Sequence, residues 1–214
     1  MGYVIQSGRY ETGTEEQQLG FRQLLGEDAL YSFDLYFHWY NIIHELGHCF
    51  AGQSNIYQDS NIDQEMFVNE FAIGYYTYVG ETQRLNELKA LIQGIIDRMP
   101  SPVPAGETFL DFYKRIWNTD ALMQVMIYGY FQFRSVLEAF KKQRSFEDIA
   151  TELGVKIRPS DILKCNAELS SANAGKYLDT ALENMKEFGF DIPRVRLELM
   201  DDPGIQCARW EEDK

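Results

Sequence analysis

All six prolines of this 214-residue chain lie at or beyond Pro100. The preceding stretch is therefore free of the residue that lacks an amide donor and breaks helix interiors. Long uninterrupted helices are permitted there, and the apolar spacing agrees with them. Thr14-Glu15-Glu16-Gln17 reads as a capping box that opens a helix to about Leu25. A second helix is expected from roughly Ser32 to Cys49 or Phe50, ended by Ala51-Gly52. A polar loop, Gln53 to Ser60, separates it from a third helix running from about Asp63 to Val79 and stopped by Gly80. Thr82 opens a fourth, to Met99.

Pro100 to Gly106 is the clearest break in the chain. Beyond it, Phe109 to Trp117, Ala121 to Lys142 and Ala172 to Phe188 have helical spacing, and Ser145 to Gly154 reads as a short capped helix. Only Tyr3 to Ile5 and Arg194 to Met200 alternate like strands, Val195, Leu197 and Leu199 sharing one face. The expectation is a mainly α, compact helical domain with at most a small sheet, its candidate strands at 3–5 and 194–200. Residues 1–99 would form a helical core, and 107–214 a helical C-terminal part packed on the same core.

With 45% hydrophobic and 14% aromatic residues the chain has ample apolar surface to bury. Its 33 acidic residues against 20 basic give a net charge of −13, which repels phosphate backbones and anionic headgroups and makes nucleic acid a poor partner. Cys49, Cys165 and Cys207 are widely spaced and form no CxxC, so neither a disulfide framework nor a thiolate zinc site is suggested. The first residues, Met1 to Gln6, carry neither an export signal nor a myristoylation pattern, and no stretch is apolar for the roughly 18 residues a membrane helix needs. A soluble, cytoplasmic protein is expected.

The chain contains only three histidines, His38, His44 and His48, and all fall on one expected helix. His44-Glu45-Leu46-Gly47-His48 is an HExxH motif, whose histidines stand one turn apart on the same face and can reach one metal ion. Glu45 is rotated by about 100° from His44, which suits a base acting on a water at the metal instead of a ligand. His38 lies about 120° from the His44 face and reads as structural.

A catalytic zinc needs a third protein ligand and an open position. The next helix offers Glu65 and Asn69, one turn apart, so that one side chain can bind metal while the other accepts a hydrogen bond from a ligating imidazole. Glu70 is the rival, but Gly74 at its next turn can orient nothing. The expected set is one Zn2+ held by His44, His48 and Glu65, with Glu45 as catalytic base.

HExxH followed by Glu65-x-x-x-Asn69-x-Phe71-Ala72 resembles the gluzincin metallopeptidases, above all the small ImmA/IrrE-type members, over about residues 40 to 80. The resemblance implies zinc on His44, His48 and Glu65, Glu45 as base and peptide-bond hydrolysis. It also implies a peptide or narrow protein substrate, such as a transcription regulator. Such enzymes place a small sheet before the HExxH helix, whose edge strand pairs with the substrate, whereas here Glu11 to Asn41 reads as helix. They also often carry a Tyr or His that steadies the transition state. Tyr75, Tyr76, Tyr128 and Tyr130 are candidates for that role, with Tyr76 favoured because it shares the Glu65, Asn69, Ala72 side of its helix.

Several features have plainer readings. The aromatic runs Tyr36 to Tyr40 and Tyr128 to Phe133 read as core in preference to a substrate groove, the second keeping cleft wall as its alternative because Gly129 leaves room for a neighbouring backbone, and Cys49 reads as packing. Glu211-Glu212-Asp213 reads as a solvated terminus. Residues 145–168 resemble the start of a helix-turn-helix, with Gly154 in the turn and a second helix opening at Ser160. The net charge favours a plain αα-hairpin over a DNA-binding one. Two functions stay open at this level: a zinc peptidase, and a regulatory or binding protein that retains a structural zinc site.

Overall fold

In the computed structural model, which describes residues 2–54, 56 and 60–211, one helical run from Ala29 to Gln53 passes through the centre of the molecule. It is continuous but not uniform: α2 (Ala29–Phe33) and α3 (Asn41–Gln53) are joined by a π-helical stretch, Asp34–Tyr40. Every residue from Ser32 to Gly47 is buried, so the aromatic run Tyr36 to Tyr40 is covered on all sides. The wider π turn accommodates that crowding and re-phases the helix just before the HExxH motif. The expected second helix thus starts earlier, and ends later, than its apolar spacing suggested.

Around this run pack α1 (Glu15–Leu25), α4 (Asn61–Tyr78) and α5 (Thr82–Arg98), followed by α6 (Phe109–Ile116), α7 (Val125–Lys142), α8 (Phe146–Glu152) and α9 (Ala174–Phe188). The Thr14 capping box forms in full, and Ser60, Thr108 and Ser145 cap α4, α6 and α8 through their side chains. The expected helix from Ala121 is split: a 3-10 turn, Asp120–Met123, precedes α7. Part of the polar loop after α3 and most of the acidic tail lie outside the described residues.

The small sheet has three strands, β1 (Gly2–Gly8), β2 (Val195–Met200) and β3 (Gln206–Glu211), in the order β2-β1-β3. β1 is buried throughout and pairs parallel with β2 and antiparallel with β3. The β2–β3 connection passes over the end of β1, where a Cβ on Gly8 would stand 2.1 Å from the Asp202 carbonyl oxygen. Only glycine fits beneath it. The N- and C-terminal parts of the chain therefore share one sheet as well as one core, and strands from both ends supply the sheet missing from Glu11 to Asn41.

The expectation at 145–168 is corrected, both as a helix-turn-helix and as the plain αα-hairpin that the net charge favoured. Gly154 does end α8 with a left-handed φ of 78°, but residues 155–169 form no second helix. Pro159 disfavours helix at the residue before it, and the chain lies extended along α9. There the fully buried Asn184 accepts a bond from the Leu163 N–H at 2.9 Å and donates to the Leu163 carbonyl at 3.0 Å. Of its basic residues, Lys164 caps α4 on the Val79 carbonyl and Arg158 lies against Gly189. No described helix is long and apolar enough to cross a membrane.

Candidate metal centre

α3 and α4 cross at Gly47, where an added Cβ would meet Phe71 at 3.1 Å and the Val68 Cβ at 3.2 Å. The glycine inside the HExxH motif lets α4 approach closely enough for Glu65 to reach both histidines. Glu65 Oε2 lies 3.4 Å from His44 Nε2, and Oε1 lies 3.4 Å from His48 Nε2. One ligand atom from each of the three residues falls within 4.8 Å of the others.

Asn69 orients this cluster. Its Oδ1 accepts from the Tyr40 hydroxyl at 2.6 Å and stands 3.0 Å from His44 Nδ1, while its Nδ2 donates to the Glu65 carbonyl at 2.8 Å and to Ser135 Oγ at 3.1 Å. Because the amide oxygen only accepts, the His44 proton sits on Nδ1 and the Nε2 lone pair points toward Glu65. A lone pair and a carboxylate converging in this way call for a cation between them. Burial opposes the charged form of His44, yet Glu65 and the Asn69 bond raise its pKa above the usual histidine value. Burial likewise opposes ionisation of Glu65, but His44 and His48 hold its carboxyl far below the ordinary range. Two imidazoles and a carboxylate with a hydrogen-bonded outer partner are a donor set that fits zinc.

The rival Glu70 faces the other way. Its carboxylate is buried, and is engaged by Lys142 at 2.5 Å and Arg144 at 3.2 Å. His38 is fully buried, with Nδ1 2.6 Å from Asp34 and Nε2 3.0 Å from the Gly8 carbonyl. Nδ1 is held within the helical run and Nε2 ties that run to β1, so both ring nitrogens are engaged away from the cluster. Tyr76, favoured from helix geometry, stacks on Trp39 and donates to its carbonyl at 2.7 Å, away from the cluster. Of the four tyrosines weighed for steadying the transition state, Tyr128 is the one that lines the same cleft as the cluster, and Tyr3 of β1 lines it as well.

His44, Glu45, His48 and Glu65 line a cleft of about 620 Å³. Glu45 is held by Asn41, whose Nδ2 donates to its Oε1 at 3.2 Å. Gln64, beside Glu65 on α4, and Tyr128 and Gln132 of α7 also line the cleft, together with Gln206 to Arg209 of β3. Burial and the charges of Glu65 and Glu45 push the Tyr128 phenol up to about 12, so it remains a hydrogen-bond donor at neutral pH. The sequence reading missed Gln64 and the whole of β3, and it favoured core over cleft wall for the Tyr128 to Phe133 run, of which Tyr128 and Gln132 line the cleft. Gln132 carried one signal, its position one turn from Tyr128 on α7.

No protein-family model, no curated protein and no solved structure matches the chain.

Proposed function

We propose that this chain is a zinc-dependent peptidase that hydrolyses peptide bonds of a peptide or protein substrate, in the manner of the gluzincins it resembles. The observation that carries the reading is the convergence of His44, His48 and Glu65 within 4.8 Å on the wall of a cleft that also holds Glu45. These three residues would hold the metal. Three protein ligands leave a position for water or substrate, the pattern of catalytic rather than structural zinc, and this weighs against the regulatory reading. When bound, zinc supplies Lewis acidity that polarises a carbonyl and acidifies a water.

The chain's own groups supply the rest. Glu45, steadied by Asn41, accepts the proton of the attacking water and returns it to the departing amine. The Tyr128 hydroxyl donates a hydrogen bond to the oxygen on which negative charge develops. β3 has one neighbouring strand among the described residues, and its other edge can pair with an extended substrate backbone.

The test is to incubate zinc-loaded protein with a defined peptide mixture and find new termini by mass spectrometry, beside Glu45→Gln. A general base contributes roughly 10²–10⁴-fold. The reading expects cleavage by the native chain and a loss of that order in Glu45→Gln with zinc retained. Full activity in Glu45→Gln would contradict it.

A further inference from the structure

The cleft does not end at Tyr128. A second hollow, of about 540 Å³, continues from it, and the two share Tyr128, Gln132 and Gln206 as common walls. Its character is different. Phe21 and Leu24 of α1, Met99, and Met123, Val125 and Met126 around the start of α7 make it apolar, whereas the metal cleft is lined mainly by polar and charged groups. Val125 and Met123 are 84% and 82% exposed, the two most exposed large apolar side chains among the described residues. Apolar groups so placed beside a polar cleft mark a binding surface.

None of His44, Glu45, His48 and Glu65 lines this hollow, so whatever occupies it lies at a remove from the reacting atoms. Gln206, which belongs to both hollows, begins β3. A peptide paired along the free edge of β3 would therefore run from the metal cleft, past Gln206, into the apolar trough. The volume falls within the roughly 300–1,000 Å³ of ligand-sized pockets, room for more than one large side chain.

We propose that this trough is a distal specificity site, which takes a large apolar side chain of the peptide substrate several residues from the bond that is cut. The inference rests on the peptidase reading for its substrate class, but binding to the trough can be measured without catalysis. Removing a Phe- or Leu-sized side chain from water is worth about 1.5–3 kcal/mol, which corresponds to a preference of roughly tenfold to 150-fold at 1.4 kcal/mol per decade.

The experiment uses zinc-loaded Glu45→Gln protein and fluorescein-labelled octapeptides of Gly, Ser and Thr carrying a single Phe, moved one position at a time, with fluorescence polarisation as the readout. The proposal expects one or two adjacent Phe positions to tighten binding about tenfold or more over the Phe-free peptide. It expects the double substitution Met123→Asp, Val125→Asp to remove that preference with the melting temperature unchanged, since both side chains are exposed. Equal binding at every position, no measurable binding of any peptide, or a preference that survives the double substitution would overturn it. So would a dimer of the chain, dissolved by the same substitutions, with no peptide preference. Cleavage of the same peptides by the native chain is scored separately. A Phe preference without cleavage would sustain the trough and remove the peptidase reading, whereas cleavage without the preference would do the reverse.

Discussion

Asn69 Oδ1 lies 3.0 Å from His44 Nδ1, and this contact decides which ring nitrogen is free to face Glu65. The same amide is pinned by Tyr40 and Ser135, so the imidazole is held in one tautomer and one orientation. Outer partners of this kind are worth roughly 10–100-fold in metal affinity. Asn69→Ala should weaken zinc binding by that factor in a chelator competition. Ser135→Ala, which leaves Oδ1 and its bonds in place, should weaken it far less. Equal affinity in Asn69→Ala and the native chain would show that the contact does not orient the ring.

Gly47 sets the separation of α3 and α4. In Gly47→Ala the new methyl would meet the Val68 Cβ, which is fixed to the backbone and cannot swing aside. Overpacking of this kind costs about 1–3 kcal/mol, and moving α4 outward draws Glu65 away from both histidines. Denaturant unfolding should show the loss of stability, and zinc affinity should fall with it. A variant as stable as the native chain would mean that the helices are not in close contact there.

Tyr128 and Tyr76 separate two roles that helix geometry alone conflated. Tyr128→Phe should lower kcat by about 10²–10³, as for loss of one donor to a developing oxyanion, with zinc content unchanged. Tyr76→Phe removes the bond to the Trp39 carbonyl and should cost about 1 kcal/mol of stability, leaving kcat as it was. The reverse pattern in peptide-cleavage kinetics would return the role to Tyr76.

Burial pushes the phenols of Tyr36, Tyr40, Tyr76 and Tyr113 above the usual tyrosine range, and burial with the Glu87 hydrogen bond takes Tyr31 to about 12. Each of these groups binds its proton more tightly in the folded than in the unfolded chain, where the value is about 10. Their contribution is complete below about pH 10 and is lost as pH rises through the folded values. Thermal melts should show a falling Tm above pH 10, and ultraviolet titration should show phenolate absorbance appearing together with unfolding. Ionisation of all 13 tyrosines near pH 10 in a protein that stays folded would contradict this assignment.

The helices were legible because their signals are local. Thr14 with Gln17 forms the expected capping box, and Gly80, at φ 76°, marks the end of α4. The pairing of His44 with His48, and of Glu65 with Asn69, needed only the helical turn. What escaped depends on neighbours distant in sequence. β3 has little alternation of its own, since Gln206, Cys207, Ala208 and Arg209 mix polar and small residues; it is a strand because β1 pairs with it. The second helix after Gly154 fails because Asn184, twenty-one residues beyond Leu163, satisfies that residue's backbone in an extended form. Helix angle alone could not choose between Tyr76 and Tyr128, because it does not say which face of α4 meets Trp39 and which looks into the cleft.

The most direct test of the metal centre is zinc content by elemental analysis, on protein purified without a metal-affinity tag, for the native chain, Glu65→Ala and Glu70→Ala. Glu70 holds Lys142 and Arg144 rather than the histidines, so its loss should lower the melting temperature yet leave zinc bound. The account predicts about one zinc per chain in the native protein and in Glu70→Ala, and a loss confined to Glu65→Ala. A native chain that holds no zinc and takes up none when zinc is added would contradict it.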